Sequence, residues 1–276
     1  MASKAAVPVK TPGIDLDSTE ENNKTSGSVR KISKTVVLII AVLVFGIIAM
    51  FTTIAVVVHI SRVRAESAEF DALRELAAEI KIENHEEFGT IHLGALDEEM
   101  RKLNSDYVCW IRIDGTNIDY PVVRCDDNEK YLKTSFHGEQ SITGTVFMDY
   151  RIHGDLLADS GENLIPHIII YGHNLQQGGI FSDLRRLLND SFLEENNIIS
   201  LIVDDQVIEF EIFSARRTDV NDHAYFLNFD GTNAFPRFAD RIDAPLRATQ
   251  IITLSTCMST GSDDIRLIVQ GYRLIG

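Results

Sequence analysis

The stretch Ile251-Ile252-Thr253-Leu254-Ser255-Thr256-Cys257 begins with an apolar run, 251–254, and ends at a cysteine, and Arg266-Leu267-Ile268-Val269 opens another run nine positions after it. Branched aliphatic runs of this length predict two strands. A thiol at a strand end beside a fixed cation is typical of an activated nucleophile, because positive charge stabilises the reactive thiolate. The alternative interpretation is a core residue, since cysteine is among the most buried residue types.

Short runs of β-forming residues continue through the rest of the chain from residue 108 onwards. They predict eight strands, at 108–113, 118–123, 145–148, 167–171, 198–203, 206–216, 250–254 and 266–274. One helical pattern interrupts them at 179–189, and a short helix at 97–103 precedes them. Eight strands with few helices in about 170 residues predict a mostly β fold, in the form of a closed or nearly closed barrel.

The N-terminal part of the chain predicts a membrane anchor. Residues 35–58 contain no ionisable side chain, and about 20 apolar residues are enough to cross a bilayer. A buried core helix would keep a polar face, and the apolar region of a cleaved signal peptide is usually shorter, so both alternatives are less favoured. A slight basic excess before the run favours a cytoplasmic N-terminus and an extracellular remainder.

Four segments follow from these patterns. Residues 1–34 are predicted to be a disordered cytoplasmic tail, 35–60 a transmembrane helix, 61–95 a helical stalk and 96–276 the barrel domain. The stalk is amphipathic at 65–82, and its charged face is predicted to be solvated.

The net charge excludes some classes of binding partner, and the positions of the cysteines exclude a disulfide. The formal net charge of −15 argues against nucleic-acid binding and against adhesion to anionic lipid. Cys109 and Cys125 flank a predicted hairpin in which Cys109 lies opposite Val122, which leaves them about 10 Å apart and too distant for a disulfide. Both are predicted to be structural thiols, and Cys257 is then the remaining cysteine.

A cysteine nucleophile needs a proton acceptor, and His173 is the candidate. It follows the apolar run 168–171 and a glycine, so its ring is predicted to stand at a strand mouth, although a solvated loop histidine shows the same pattern. Arg266 is a candidate for oxyanion stabilisation, with an exposed strand flank as its alternative. No spacing typical of a metal or phosphate site occurs, so no metal and no cofactor is predicted.

Three elements resemble the class B sortases in the order that this family has them: His173, then Thr253-Leu254-Ser255-Thr256-Cys257, then Arg266. Further matching stretches lie at 104–111, 116–123, 128–132, 144–151, 171–174 and 179–184, so that the resemblance covers about 96–274. It implies an eight-stranded sortase-type β-barrel with N-terminal helices and a helix between strands six and seven, near 222–238. A lid motif typical of class C is missing from the sequence.

The resemblance also implies roles for single residues. Cys257 would be the nucleophile, His173 the general acid and base, and Arg266 the oxyanion stabiliser. Similar enzymes line the substrate groove with residues that match Asn128, Leu132, Ser255 and Thr256, and we add Tyr171 and Asn174, which flank the histidine.

The activity implied is that of a membrane-anchored cysteine transpeptidase of Gram-positive bacteria. Such an enzyme cleaves the C-terminal sorting signal of secreted proteins after a threonine, forms a thioacyl enzyme, and transfers the acyl group to an amine of the cell wall, such as a peptidoglycan precursor. One alternative is a pilin polymerase that joins subunits through a lysine. Another is a catalytically idle barrel that binds cell-wall peptides. A papain-like protease is disfavoured, since its cysteine precedes its histidine.

Overall fold

The structure, a computed structural model, describes residues 33–88, 94–174, 179–204, 206–229, 233–257 and 265–273. Side chains are described over the same ranges except at 81–88, Gly94 and Cys257. The tail predicted at 1–34 therefore lies almost entirely outside the described residues. Contacts divide the chain into two units, Met1–Ile54 and Ala55–Gly276.

Eight strands of the second unit form a closed barrel. They are β1 (Tyr107–Arg112), β2 (Asp119–Val123), β3 (Phe147–Met148), β4 (His167–Tyr171), β5 (Ile198–Val203), β6 (Gln206–Asp219), β7 (Ile251–Cys257) and β8 (Ile265–Arg273). Their order around the barrel is β1-β2-β3-β4-β7-β8-β6-β5, and pairing of β5 with β1 closes it. The predicted mostly β, eight-stranded barrel is confirmed.

The hairpin of β1 and β2 has the register that the sequence predicts. Cys109 pairs with Val122, and both Cys109 and Cys125 are free thiols. Gly115 lies in the connecting turn at a φ of 72°, a backbone conformation that glycine adopts without steric cost. The hairpin could be predicted because a short turn fixes the pairing of the strands on either side.

Strand β4 leads to His173 and lies between β3 and β7 in the barrel. It pairs in parallel with β7, and β7 pairs antiparallel with β8. The three isoleucines Ile168, Ile169 and Ile170 are all fully buried, so both faces of β4 are covered. A strand covered on both faces has an unbroken apolar sequence, and this is the pattern read at 168–170.

Strand β3 is shorter than predicted, because Thr145, where the predicted strand begins, bonds elsewhere. Thr145 donates its N–H to the carbonyl of Tyr131 over 2.9 Å, in a 3₁₀ turn at Lys130–Leu132. Thr145 therefore follows this turn instead of extending the strand, whereas the carbonyl of Val146 accepts the N–H of Val123 in β2 over 3.1 Å.

Four α-helices accompany the barrel: α1 (Lys34–Phe88), α2 (Gly94–Leu103), α3 (Asp190–Glu195) and α4 (Ala234–Arg241). Where the sequence predicts an anchor helix and a separate stalk helix, α1 is one helix of 55 residues. Its stretch Lys34–Ile80 contains an 18-residue window with a mean hydropathy of 2.9, and by length and composition it could cross a membrane.

The prediction that the charged face of the stalk is solvated is wrong at Glu66, Glu69 and Arg74, which bond to the barrel. Glu66 accepts hydrogen bonds from the segment 141–143, and the Arg74 guanidinium donates to the carbonyls of Asn117 and Asp119. Beside them Phe70 and Leu73 are buried in the barrel's hydrophobic core. The second half of α1 is therefore packed on the barrel through both its apolar and its charged side chains.

The helix predicted at 179–189 is a 3₁₀ helix, Phe181–Leu188, followed directly by α3. Its buried side chains Phe181, Leu184 and Leu187 recur every three residues. A 3₁₀ helix puts residues i and i+3 on one face, so this spacing buries all three. The sequence prediction assumed the α-helical period instead.

Between β6 and β7 the single helix predicted at 222–238 is divided. A 3₁₀ turn at His223–Tyr225 comes first, capped by Asp222, whose carboxylate accepts from the N–H of Ala224. The backbone is extended at Phe226, and α4 begins only at Ala234. Asp222 also binds Arg216 over 2.6 Å, which fixes the cap on β6.

Helix α4 closes the outer side of β4 with aromatic residues. Phe238 is 2% exposed and contacts Phe226, Phe229 and Phe235. The buried ring of His167 packs on it with the ring centroids 4.7 Å apart. These rings form a second hydrophobic cluster outside the barrel.

Candidate active site

His173 stands directly after β4, at the position that the sequence predicts. The N–H of Gly172 donates to the carbonyl of Ser255 over 3.1 Å, which keeps the chain beside β7 up to the histidine. A Cβ at Gly172 would lie 2.7 Å from the ring of Phe181, so only glycine allows this close approach. The N–H of Phe181 donates to the carbonyl of His173 over 3.1 Å and fixes the backbone on the other side.

The imidazole of His173 is held through one of its two nitrogens. Nε2 lies 2.8 Å from the carbonyl oxygen of Leu132. A carbonyl oxygen only accepts, so Nε2 carries the proton and donates it. In the neutral ring Nδ1 is then the nitrogen with the lone pair, and it is the atom able to exchange a proton with a reacting group.

The pairing of β7 with β8 sets Cys257 against Arg266. These two residues are direct cross-strand partners, followed along the strands by Thr256 with Leu267 and Ser255 with Ile268. Directly opposite residues of an antiparallel pair project on the same face, with Cβ atoms about 5 Å apart. The side chain of Cys257 lies outside the described part of the structure, so the role predicted for its thiol stays a prediction.

A groove of about 480 Å³ opens at this end of the barrel. Its lining residues come from the 3₁₀ turn after β2, from β3 and the ends of β4, β7 and β8, and from the connection between β6 and β7. They are Asn128, Leu132, Phe147, Arg151, Tyr171, Gly172, His173, Val220, Tyr225, Ser255, Thr256 and Arg266. Residues far apart in sequence thus meet in one concave surface, as in most small-molecule and peptide sites.

Most of the sequence-predicted site residues line this groove. They are His173, Arg266, Asn128, Leu132, Tyr171, Ser255 and Thr256. Asn174 differs: it is 8% exposed, pairs with Ile180 in an isolated bridge, and is not among the described lining residues.

Two hydrogen bonds shape the groove walls. The Oδ1 of Asn128 accepts the N–H of Tyr150 over 3.0 Å, which orients its amide. The hydroxyls of Tyr225 and Ser255 lie 2.8 Å apart, so the turn between β6 and β7 is bonded to β7. Sequence reasoning missed Tyr225, because nothing in the spacing of that connection shows which residues face β7.

Arg151 is another lining residue that sequence reasoning missed. Its guanidinium binds the carboxylate of Asp149 through Nε and Nη2, over 2.9 and 2.7 Å. Asp149 is fully buried and also accepts the hydroxyl of Tyr171 over 2.9 Å. Two acceptor oxygens therefore fix a cationic and an aromatic lining residue, which limits the conformations of that wall.

The pKa of Asp149 reflects these contacts. Burial alone would raise it, but the hydrogen bonds from Arg151 and Tyr171 and the charge of Arg151 lower the pKa below its ordinary value. The carboxylate is thus ionised under physiological conditions. In return, hydrogen bonding to Asp149 raises the pKa of Arg151.

The described lining of the groove is cationic, although the chain carries a net charge of −15. Two arginines, Arg151 and Arg266, line it, and none of the described lining residues is an aspartate or a glutamate. Positive potential of this kind stabilises a thiolate and a developing oxyanion. The surroundings therefore suit acyl-transfer chemistry on a cysteine.

Metal binding is a separate question. Within the described part of the chain, no group of three or more His, Cys, Asp or Glu side chains is close enough together to hold a metal ion.

Comparison with known proteins identifies the family. The sortase domain family matches residues 111–274. Sortase B of Staphylococcus aureus is 28% identical over 249 residues, which cover 87% of this chain and 94% of that protein. Sortase B of Listeria monocytogenes is 32% identical over 183 residues, which cover 63% of this chain and 72% of that protein.

Solved structures agree with the sequence relatives. A Staphylococcus aureus sortase B–substrate complex has a TM-score of 0.63 and 28% identity, covering 77% of this chain and 98% of that one. Sortase B from Listeria monocytogenes has a TM-score of 0.54 and 31% identity, covering 64% of this chain and 99% of that one. The chain therefore belongs to the sortase family of cysteine transpeptidases, in the class of the sortase B proteins.

Proposed function

We propose that this sortase cleaves the C-terminal sorting signal of secreted proteins after a threonine and transfers the acyl group to an amine of the cell wall. The observation that carries the proposal is one groove that collects His173, the end of β7 and Arg266. One related structure is a sortase B–substrate complex, and another is a sortase B complexed with triglycine. A peptide substrate and an amine-bearing acceptor for this chain agree with both.

In the first half-reaction Nδ1 of His173 takes the proton of the Cys257 thiol, and the resulting thiolate attacks the carbonyl carbon of the substrate threonine. A C–S bond forms, and the carbonyl oxygen takes up the negative charge that Arg266 stabilises. The C–N bond then breaks while His173, protonated at Nδ1, gives this proton to the leaving amine. The product is a thioester between Cys257 and the substrate.

In the second half-reaction an amine attacks the thioester. Nδ1 of His173, now unprotonated, accepts a proton from this amine, the C–S bond breaks, and the thiolate of Cys257 leaves. The new amide bond preserves the number of peptide bonds, which explains why the enzyme needs no external energy source. The substrate lies along the groove walls, with Asn128, Leu132, Tyr171, Ser255 and Thr256 as the contacting residues.

We further propose that residues 35–60 anchor the enzyme in the membrane, with a cytoplasmic N-terminus and an extracellular barrel. The described side chains at 34–60 are all exposed, and apolar side chains in such number need an apolar environment. Cysteine accessibility labelling of intact cells, with single cysteines introduced at Ser33 and at an exposed barrel residue, tests the orientation.

The central test uses the full chain in detergent with peptides that contain an Asn-Pro-x-Thr type sorting motif. The wild type is expected to form a thioester on Cys257 that mass spectrometry detects, and to release it faster when an amine is added. Cys257→Ala is expected to abolish both events, whereas Cys125→Ala, which removes another thiol, leaves them unchanged. Transfer by Cys257→Ala would end the assignment.

The choice of acceptor separates the proposal from its alternatives. A cell-wall amine as the preferred acceptor supports surface-protein anchoring, and a pilin lysine as the preferred acceptor would replace it with pilin polymerisation. A chain that binds the peptide but forms no thioester would be the idle barrel. In that case alkylation of Cys257 by a thiol reagent is also expected to be independent of His173.

A further inference from the structure

We propose that Glu66 of α1 is a positioning residue for His173, acting through the turn that covers the histidine ring. The inference rests on the proposed role of His173. Glu66 belongs to the stalk helix, and nothing in the sequence pattern sets it apart from the other acidic residues of that helix.

The carboxylate of Glu66 is bonded to three consecutive residues of the segment after the 3₁₀ turn at Lys130–Leu132. Oε2 accepts the hydroxyl of Ser141 over 3.0 Å and the N–H of Thr143 over 2.9 Å, and Oε1 accepts the N–H of Ile142 over 3.1 Å. Ser141 and Thr143 are themselves buried. Removing this acceptor would leave two donors, the Ser141 hydroxyl and the Thr143 N–H, with only the bonds between these two residues, which weakens the turn.

The carboxylate of Glu66 and its bonds to residues 141–143 are called the clamp below, and the pKa of Glu66 agrees with an ionised carboxylate there. Burial would raise the pKa of its carboxyl, but the hydrogen bonds from Ile142, Thr143 and Ser141 outweigh this and lower the pKa below its usual value. A carboxylate accepts at both oxygens, whereas a protonated carboxyl would lose one acceptor site. The turn therefore depends on the charged form.

The clamped turn continues directly to the catalytic histidine. Ser141 accepts the N–H of Gly144 at its hydroxyl over 2.9 Å, which carries the constraint from Glu66 to residue 144. Gly144 has a φ of 64°, and a Cβ there would lie 3.0 Å from Cδ2 of His173 and 3.0 Å from the carbonyl oxygen of Leu132. The backbone of Gly144 thus packs on the ring of His173.

The same turn fixes the oxygen that binds Nε2 of His173. Thr145 donates its N–H to Tyr131 over 2.9 Å and its hydroxyl to Thr134 over 2.9 Å. These two bonds hold the residues on either side of Leu132, whose carbonyl accepts from Nε2 over 2.8 Å. Loss of the clamp is expected to loosen both the packing on the ring and the acceptor that selects its tautomer.

Glu69 supplies a matched control on the same helix. Its carboxylate also accepts a barrel N–H, that of His137, over 3.2 Å. His137 lies at the tip of the 134–140 hairpin, and in the described part of the chain its backbone is not hydrogen-bonded to Gly144 or Leu132. A variant of Glu69 removes a helix-to-barrel contact without loosening the turn beside His173.

The experiment compares Glu66→Ala, Glu66→Gln and Glu69→Ala with the wild type, all as full chains. Peptide transfer gives kcat and KM, and ¹⁵N-edited spectra of the histidine rings, assigned with His173→Gln, report which ring nitrogen carries the proton. Glu66→Ala is expected to lower kcat about tenfold with KM within about twofold, since misplacement of a catalytic group affects the chemical step. It is also expected to reduce the Nε2–H form of His173.

The control and the conservative variant show whether the effect belongs to the Glu66 carboxylate. Glu66→Gln keeps one acceptor oxygen and is expected to fall between Glu66→Ala and the wild type, and Glu69→Ala is expected to match the wild type in both measurements. An unchanged His173 spectrum in Glu66→Ala would overturn the proposal even if activity fell. Absence of transfer by the wild type would instead contradict the proposed function, while the spectra would still decide the role of Glu66.

Discussion

At the scale of single residues, glycines at two positions determine how closely the chain approaches the histidine. Gly172 makes room for the ring of Phe181, and Gly144 lies against the ring of His173. Gly144 could not be identified from the sequence as a contact of the histidine, because two strands separate these residues along the chain. The sequence did predict the strand-end position of His173, since this depends only on the local run of isoleucines.

A substitution at Gly144 tests this close approach. Gly144→Ala would bring a Cβ within 2.5 Å of the carbonyl oxygen of Tyr131 and 3.0 Å of the His173 ring. We expect a loss of at least about 1 kcal/mol in unfolding free energy, measured by urea denaturation, and slower peptide transfer by the folded protein.

Gly138→Ala is the matched control for that variant. Gly138 has a similarly positive φ of 84°, but no heavy atom lies within 4 Å of the Cβ position. It is expected to show only the cost of the backbone conformation and no loss of transfer by the folded protein. Equal effects of the two substitutions on transfer would contradict a specific contact at Gly144.

At the scale of elements, the spacing of apolar residues along the sequence decided which predictions succeeded. Strands β1, β2, β4 and β5 agree with their predicted bounds to within a residue, because alternation or continuous apolar runs mark them clearly. The segment 181–188 was predicted as a helix but not as a 3₁₀ helix, since a buried residue every three positions also fits a helical face. The length of β6 was underestimated, because its last residues are polar and are held by pairing with β8.

The cluster between α4 and β4 predicts a clear effect on stability. Phe238 is 2% exposed among other aromatic rings, and its truncation would leave a cavity. We expect Phe238→Ala to cost about 3–4 kcal/mol in unfolding free energy. Phe226→Ala, at a residue of the same cluster that is 37% exposed, is expected to cost less than half as much. Equal losses would mean that α4 does not pack as described.

At the scale of the whole molecule, the barrel and its groove could be predicted, but the docking of α1 could not. The helical period of 65–82 shows an apolar face without showing what covers it. The contacts of Glu66 and Arg74 depend on the turn at 141–143 and on the β1–β2 hairpin. Both lie far along the chain, and neither has a sequence signal that points to the helix.

The pH dependence of global stability provides a test of the packed interior. Nδ1 of His167 lies 2.8 Å from the carbonyl oxygen of Phe226, and Nε2 lies 2.8 Å from the hydroxyl of Thr253. Burial lowers the pKa of His167 from 6.5 to about 4, although the bond to Phe226 opposes this. The unfolded chain therefore binds a proton between these values that the folded chain does not.

The stability contributed by neutral His167 is full above about pH 6.5 and is lost as the pH falls towards 4. A shift of this size corresponds to about 3 kcal/mol. Urea denaturation at pH 4.5 and pH 7 is expected to show a smaller difference for His167→Gln than for the wild type. An identical difference in both proteins would show that His167 does not titrate on unfolding.

The strand order has a consequence for how the polypeptide reaches its native state. Strand β7 must insert between β4 and β8, so that residues as distant in sequence as His167 and Ile251 become neighbours. Closing such a long loop costs conformational entropy before the favourable contacts of the strand pair are made. Proteins rich in such pairs therefore refold on timescales up to seconds. Until that insertion occurs, Cys257 and His173 belong to parts of the chain that are not yet paired with each other. Recovery of activity after dilution from urea should therefore lag behind the formation of the β1–β2 hairpin.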